Sequence, residues 1–144
     1  MKQVLVLSWL LAVTLACSTQ SKDESAAHGD DVAALEANVM ALHDSVMPRM
    51  SDIMRLKKAV SAKLATNVSA AEKERGLAIK TRLESADNAM MDWMHGYNGD
   101  TLARLDKAQA AEYLNAEKRK IEQVRERMQQ SIAEAEAFVG TQQP

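Results

Sequence analysis

From Val32 onward, apolar residues recur every three or four positions: Val32, Leu35, Val39, Leu42, Val46, Met50, Ile53, Leu56, Val60 and Leu64. Those steps put one apolar stripe along a helix, because residues three and four apart share a face. Pro48 falls inside the run. A proline in a helix interior costs about 3 kcal/mol and removes one backbone hydrogen bond. The stripe keeps its phase across it, and each buried aliphatic side chain contributes roughly 1.5–3 kcal/mol. One long, kinked helix is therefore expected.

The next polar stretch, "TNVSAAEKE", reads as a turn. Ser69 followed three residues later by Glu72 is a capping box, in which each side chain satisfies a free amide of the other. A second helix is predicted from about Ala70 to His95, with Ile79, Leu83, Ala86, Met90, and Trp93 or Met94 on its stripe and Gly96 as its stop. Asp106 with Gln109 forms a second capping pair. A third helix then runs to about Val139, carrying Ala110, Leu114, Ile121, Val124, Met128, Ile132, Ala135 and Phe138. None of the three is stable alone with so narrow an apolar face. Short connections make neighbours antiparallel. The fold class predicted is all-α: an elongated, antiparallel, coiled-coil-like three-helix bundle over residues 31–139, with 140–144 a disordered tail.

Composition agrees with helices. The 144 residues include 2 Pro, 5 Gly and 3% aromatics, and good helix formers dominate. The formal charge is −2, and its signs are mixed along "EKRKIEQVRER", so nucleic acid is not an expected partner.

Before the bundle, "MKQVLVLSWLLAVTLAC" has a single base, Lys2, and an apolar run from Val4 to Ala16. A transmembrane helix needs about 20 residues, so the run reads as a signal peptide over 1–16. Ala16 precedes Cys17, the only cysteine, and "TLAC" resembles a bacterial lipobox. Lipidation of Cys17 is expected, and with it attachment to a membrane in the cell envelope. Residues 17–30 lack any large apolar side chain and are expected to form a flexible tether in which His28 is solvated. Ser18 and "SKDES" resemble sorting signals for the outer membrane.

Two segments carry candidate chemistry. "MALHDSVMPRMSDIM", Met40 to Met54, and "NAMMDWMHGYNGD", Asn88 to Asp100, concentrate methionine and histidine. With the hairpin turn near Asn67, a residue n before it faces one n after it, so Met40 and His43 should lie level with residues 92 to 95. Thioether and imidazole are soft ligands suited to Cu(I). His43, His95, Met40, Met91 and Met94 are the candidate copper ligands; the alternative role for the same side chains is core packing, with imidazole bonded to Asp44 or Asp92. The leading expectation is no cofactor. A phosphate-binding Gly-rich loop and a nucleophile with a supporting base are both absent from the sequence, so the chain is not expected to be an enzyme.

The pieces "VMALHDSVMPRMSDIMRLKK" and "ADNAMMDWMHGYNGD", behind a lipoprotein leader, resemble a family of small Bacteroidota lipoproteins often labelled viral A-type inclusion proteins. The resemblance spans about Val39 to Met128. It implies a helical, membrane-anchored envelope protein of no established activity. The function expected for the chain itself is a non-enzymatic structural or interaction module, its protein partner unidentified. "DSV" at 44–46 and "DTL" at 100–102 resemble the O-glycosylation pattern of that group, and only the second is expected to be exposed.

Overall fold

The computed structural model describes the backbone of residues 20–140 and the side chains of residues 31–140. Residues 1–19, which include the expected signal peptide and Cys17, and residues 141–144 lie outside the described residues. Among the described residues four α-helices follow one another: α1, Gln20–Val46; α2, Arg49–Leu64; α3, Ala70–Gly96; and α4, Lys107–Gly140, with a 3-10 turn at Gly99–Arg104 before α4. No strand occurs among the described residues. The chain is the expected all-α bundle, with α1 and α2 together forming the first of three legs.

Leg directions follow from side-chain pairs. Glu36 meets Tyr97, His43 meets Trp93 and Lys57 meets Asp87, so the first leg runs against α3. Arg82 meets Glu134 and Tyr97 meets Tyr113, so α3 runs against α4. The apolar stripes of all three legs meet in one core that includes Val39, Ile53, Leu83, Met90, Leu114 and Ile132, each at most 1% exposed. At roughly 1.5–3 kcal/mol for each such side chain, this burial is what holds helices too narrowly apolar to stand alone.

Pro48 divides the first leg where a single kinked helix was expected. Val46 ends α1, and the amides of Met50 and Ser51 reach back only three residues, to the carbonyls of Met47 and Pro48. Burial keeps both halves on the same core, since Val46 and Ile53 are covered on either side. It cannot supply the amide hydrogen that proline lacks. Ser45 and Ser51 hydroxyls donate to the carbonyls of Leu42 and Pro48, helping to cover acceptors around the break.

Two further expectations change. The backbone is already helical from Gln20, inside the segment read as a flexible tether. Residues 20–30 contain no proline, and extending an existing helix avoids the cost of nucleating one. Gly96 is the last helical residue of α3 and not a left-handed stop: among the described residues no glycine has positive φ. The helix ends because Tyr97 turns extended, at φ −71° and ψ 125°, with its ring and hydroxyl held by other legs.

Both capping pairs are present. Ser69 and Glu72 exchange amide contacts at 3.0 and 3.3 Å, and Asp106 and Gln109 do so at 3.1 and 2.9 Å. At the same end as the α2–α3 turn, Gly76 sits between Leu64 and Phe138, and the buried Lys63 donates to the Phe138 carbonyl. That carbonyl belongs to the last turn of α4, where partial negative charge accumulates and a cation is favoured. Ser45 is exposed and Thr101 half-buried, the reverse of what was expected for the two glycosylation-like tripeptides.

Candidate functional site

At the opposite end of the bundle, four rings form a column across all three legs. His43 of α1 stacks on Trp93 of α3 with centroids 5.4 Å apart, Trp93 on Tyr97 at 5.2 Å, and Tyr97 on Tyr113 of α4 at 6.3 Å. Interplanar angles of 24–29° make these offset stacks, a favoured arrangement for rings carrying like quadrupoles. Trp93 and Tyr97 are four apart on one helix and so lie one above the other.

Polar atoms fix the column at both ends. His43 Nδ1 lies 3.0 Å from Asp44 Oδ1. Tyr97 donates its hydroxyl to Glu36 at 3.4 Å, and burial, followed by the Glu36 charge, pushes its pKa up from 10.0 to about 12. The Tyr113 hydroxyl accepts from the Asn98 amide at 2.9 Å and donates to the Asn98 carbonyl, pinning the turn that follows α3. Trp93 is 6% exposed, and its indole N–H has no hydrogen-bond partner among the described residues.

An open groove of about 590 Å³ runs between α3 and α4 beside this column. Ala89, Asp92, Trp93 and Gly96 line it from α3, and Glu117, Lys120 and Val124 from α4. Glu117 is 3% exposed and is paired with Lys120 at 2.7 Å.

The five candidate copper ligands do not all converge. The hairpin register expected from the sequence holds, because His43 is level with Trp93. Direction around the helix decides the rest. At about 100° per residue, Met91 and His95 each lie about 160° from Trp93, on the back of α3. Met91 is 40% exposed and His95 is exposed. Met94 is partly buried against the core, and Met40 and His43 are partly buried on α1. So His43 bonds Asp44, as the packing alternative anticipated, while His95 shares its face with Met91 only. No group of three or more His, Cys, Asp or Glu side chains placed to hold a metal ion occurs among the described residues.

Three residues of this region were not singled out from the sequence: Glu36, Tyr113 and Glu117. The signal available was the four-residue spacing of Trp93 and Tyr97, which puts two rings on one face. None of the helices searched among the described residues is long and apolar enough to cross a membrane. No protein-family model, curated protein or solved structure matches the chain.

Proposed function

We propose that this chain is an envelope lipoprotein, anchored by lipid on Cys17 and probed by partners through a non-enzymatic helical bundle. The observation that carries the reading is "TLAC" at 14–17, ending in the only cysteine of the chain and following the apolar run from Val4. An anchor at Cys17 would hold the bundle at the bilayer surface. A diacylated cysteine gives stable attachment, since each buried methylene contributes about 0.8 kcal/mol and two chains exceed the marginal binding of one. The resemblance to small Bacteroidota lipoproteins supports the same reading, as do the long charged helix faces. In this reading the outer membrane is the destination and a second protein the ligand.

The test uses the full chain expressed in a diderm bacterium with an alkynyl fatty acid in the medium. The wild type should take up label and sediment with membranes. The variant Cys17→Ala should lose the label and leave the membrane fraction. An unlabelled wild-type chain recovered in the soluble fraction sinks the proposal.

A further inference from the structure

A lipid anchor makes no use of the groove between α3 and α4, and two contacts that cross this seam set the groove's ends. Tyr97 stacks on Tyr113 at 6.3 Å at one end, and Arg82 pairs with Glu134 at 2.6 Å at the other. About 20 Å of α3 lies between these cross-links, at 1.5 Å per residue. The main cavity, about 590 Å³, falls within the range of small-molecule sites. Ser85 and Arg127 line both it and a smaller cavity of about 270 Å³ beside Gln130, so the two run together along the seam.

The two walls differ in chemistry. Glu84 and Asp92 supply acceptors from α3, and Gln123 and Arg127 supply donors from α4. Arg82 and Glu134 show that opposite charges across this seam pair where they come within reach, yet Glu84, Asp92 and Arg127 make no ion pair among the described residues. Three carboxylates, Glu84, Asp92 and Glu117, stand against Lys120 and Arg127, which leaves the lining one charge from neutral. Trp93 lines the same cavity, and its indole N–H is the only buried side-chain donor or acceptor without a partner among the described residues. A buried indole N–H usually has an acceptor.

We propose that this groove binds a saccharide. A hydroxyl both donates and accepts, so one sugar ring can give hydrogens to Glu84 and Asp92 while taking them from Gln123 and Arg127 across the groove. The C–H faces of the ring cover Ala89 and Val124, the apolar part of the lining. A hydroxyl against the Trp93 wall supplies the acceptor that the indole lacks. A nearly neutral lining gives a polyanion or a polycation no net field to follow. Neutral hydroxyls also avoid the desolvation that a ligand carrying full charges would meet. The length between the two cross-links suits a ligand of more than one sugar unit.

The experiment uses the full chain in a polyoxyethylene detergent, so that no glucoside competes, and carries Trp9→Phe to leave Trp93 as the only indole. Neutral trisaccharides of glucose, mannose, galactose and N-acetylglucosamine are the probes, each taken through the millimolar range, with glycylglycine as the zwitterionic comparison. At least one trisaccharide should shift Trp93 emission saturably, and glycylglycine should not. Asp92→Ala and Arg127→Ala should each weaken that binding about tenfold or more, because each removes a hydrogen bond to a charged group. Arg119→Ala, on α4 but outside the groove lining, should leave the affinity unchanged. All three side chains are exposed, so the bundle survives their loss, and circular dichroism of each variant checks it. No shift with any trisaccharide, a shift from glycylglycine alone, or an affinity indifferent to Asp92→Ala and Arg127→Ala overturns the proposal.

Discussion

Replacing Gly76 by alanine should destabilise the protein, although alanine is the better helix former. An added Cβ would lie 2.7 Å from Leu64 Cδ2 and 2.8 Å from Phe138 Cζ, where ordinary contact begins at 3.4 Å. Helix propensity alone favours alanine by about 1 kcal/mol. Overpacking a close-packed site costs about 1–3 kcal/mol. The outcome turns on what can retreat. Leu64 is half-buried and can rotate outward. Phe138 is 1% exposed, with the Lys63 ammonium 4.5 Å and the Arg75 guanidinium 5.8 Å from its ring centre. Its carbonyl also accepts from Lys63, so displacing the ring disturbs the seal between α2 and α4. The overpacking cost should exceed the propensity gain, leaving a net loss of about 1 kcal/mol, or on the order of 4 °C in Tm. Urea and thermal melts followed by circular dichroism measure it. Gly96→Ala is the control, because nothing lies within 4 Å of its added Cβ. If Gly76→Ala melts above the wild type, the close approach is not why glycine stands there.

Ser69→Ala should cost about 1 kcal/mol by removing the cap of α3. The Ser69 hydrogen bonds hold the Glu72 carboxyl below its usual 4.5. Its contribution is therefore present above pH 4.5 and lost as pH falls through the lower folded value, so acid melts of Ser69→Ala should show a flatter dependence over that range. The Tyr97 phenol, raised by burial and by Glu36 to about 12, contributes stability that is full below pH 10 and lost as pH rises toward 12. Phenolate absorbance should show one tyrosine ionising late, and Glu36→Gln should bring it earlier; unchanged titration in that variant would remove Glu36 as a cause.

Periodicity made the three stripes, both capping pairs and the hairpin level legible in the sequence, because each depends on spacing along one chain. Direction around a helix was harder. His43 and His95 were correctly set at one height, yet two residues beyond Trp93 is more than half a turn, and His95 points away. Pro48 pitted two effects of similar size against each other, and hydrophobic burial settled the packing while the missing amide settled the backbone. Gly76 and Lys63 carried no signal, since a periodic pattern does not report how closely two backbones approach or which carbonyl lies across a seam. Glu36, Tyr113 and Glu117 become a site only when three legs are assembled around Tyr97.

The ring column also gives the bundle one luminous end and one dark end. Among the described residues Trp93 is the sole indole, and both tyrosines sit in its stack, whereas the Lys63–Phe138 end holds no chromophore beyond phenylalanine. Emission from Trp93 therefore watches the turn after α3 and ignores the hairpin between α2 and α3. Fraying that begins at the hairpin would lower ellipticity before the tryptophan reports anything, so disagreement between the two signals would reveal the direction in which the molecule comes apart.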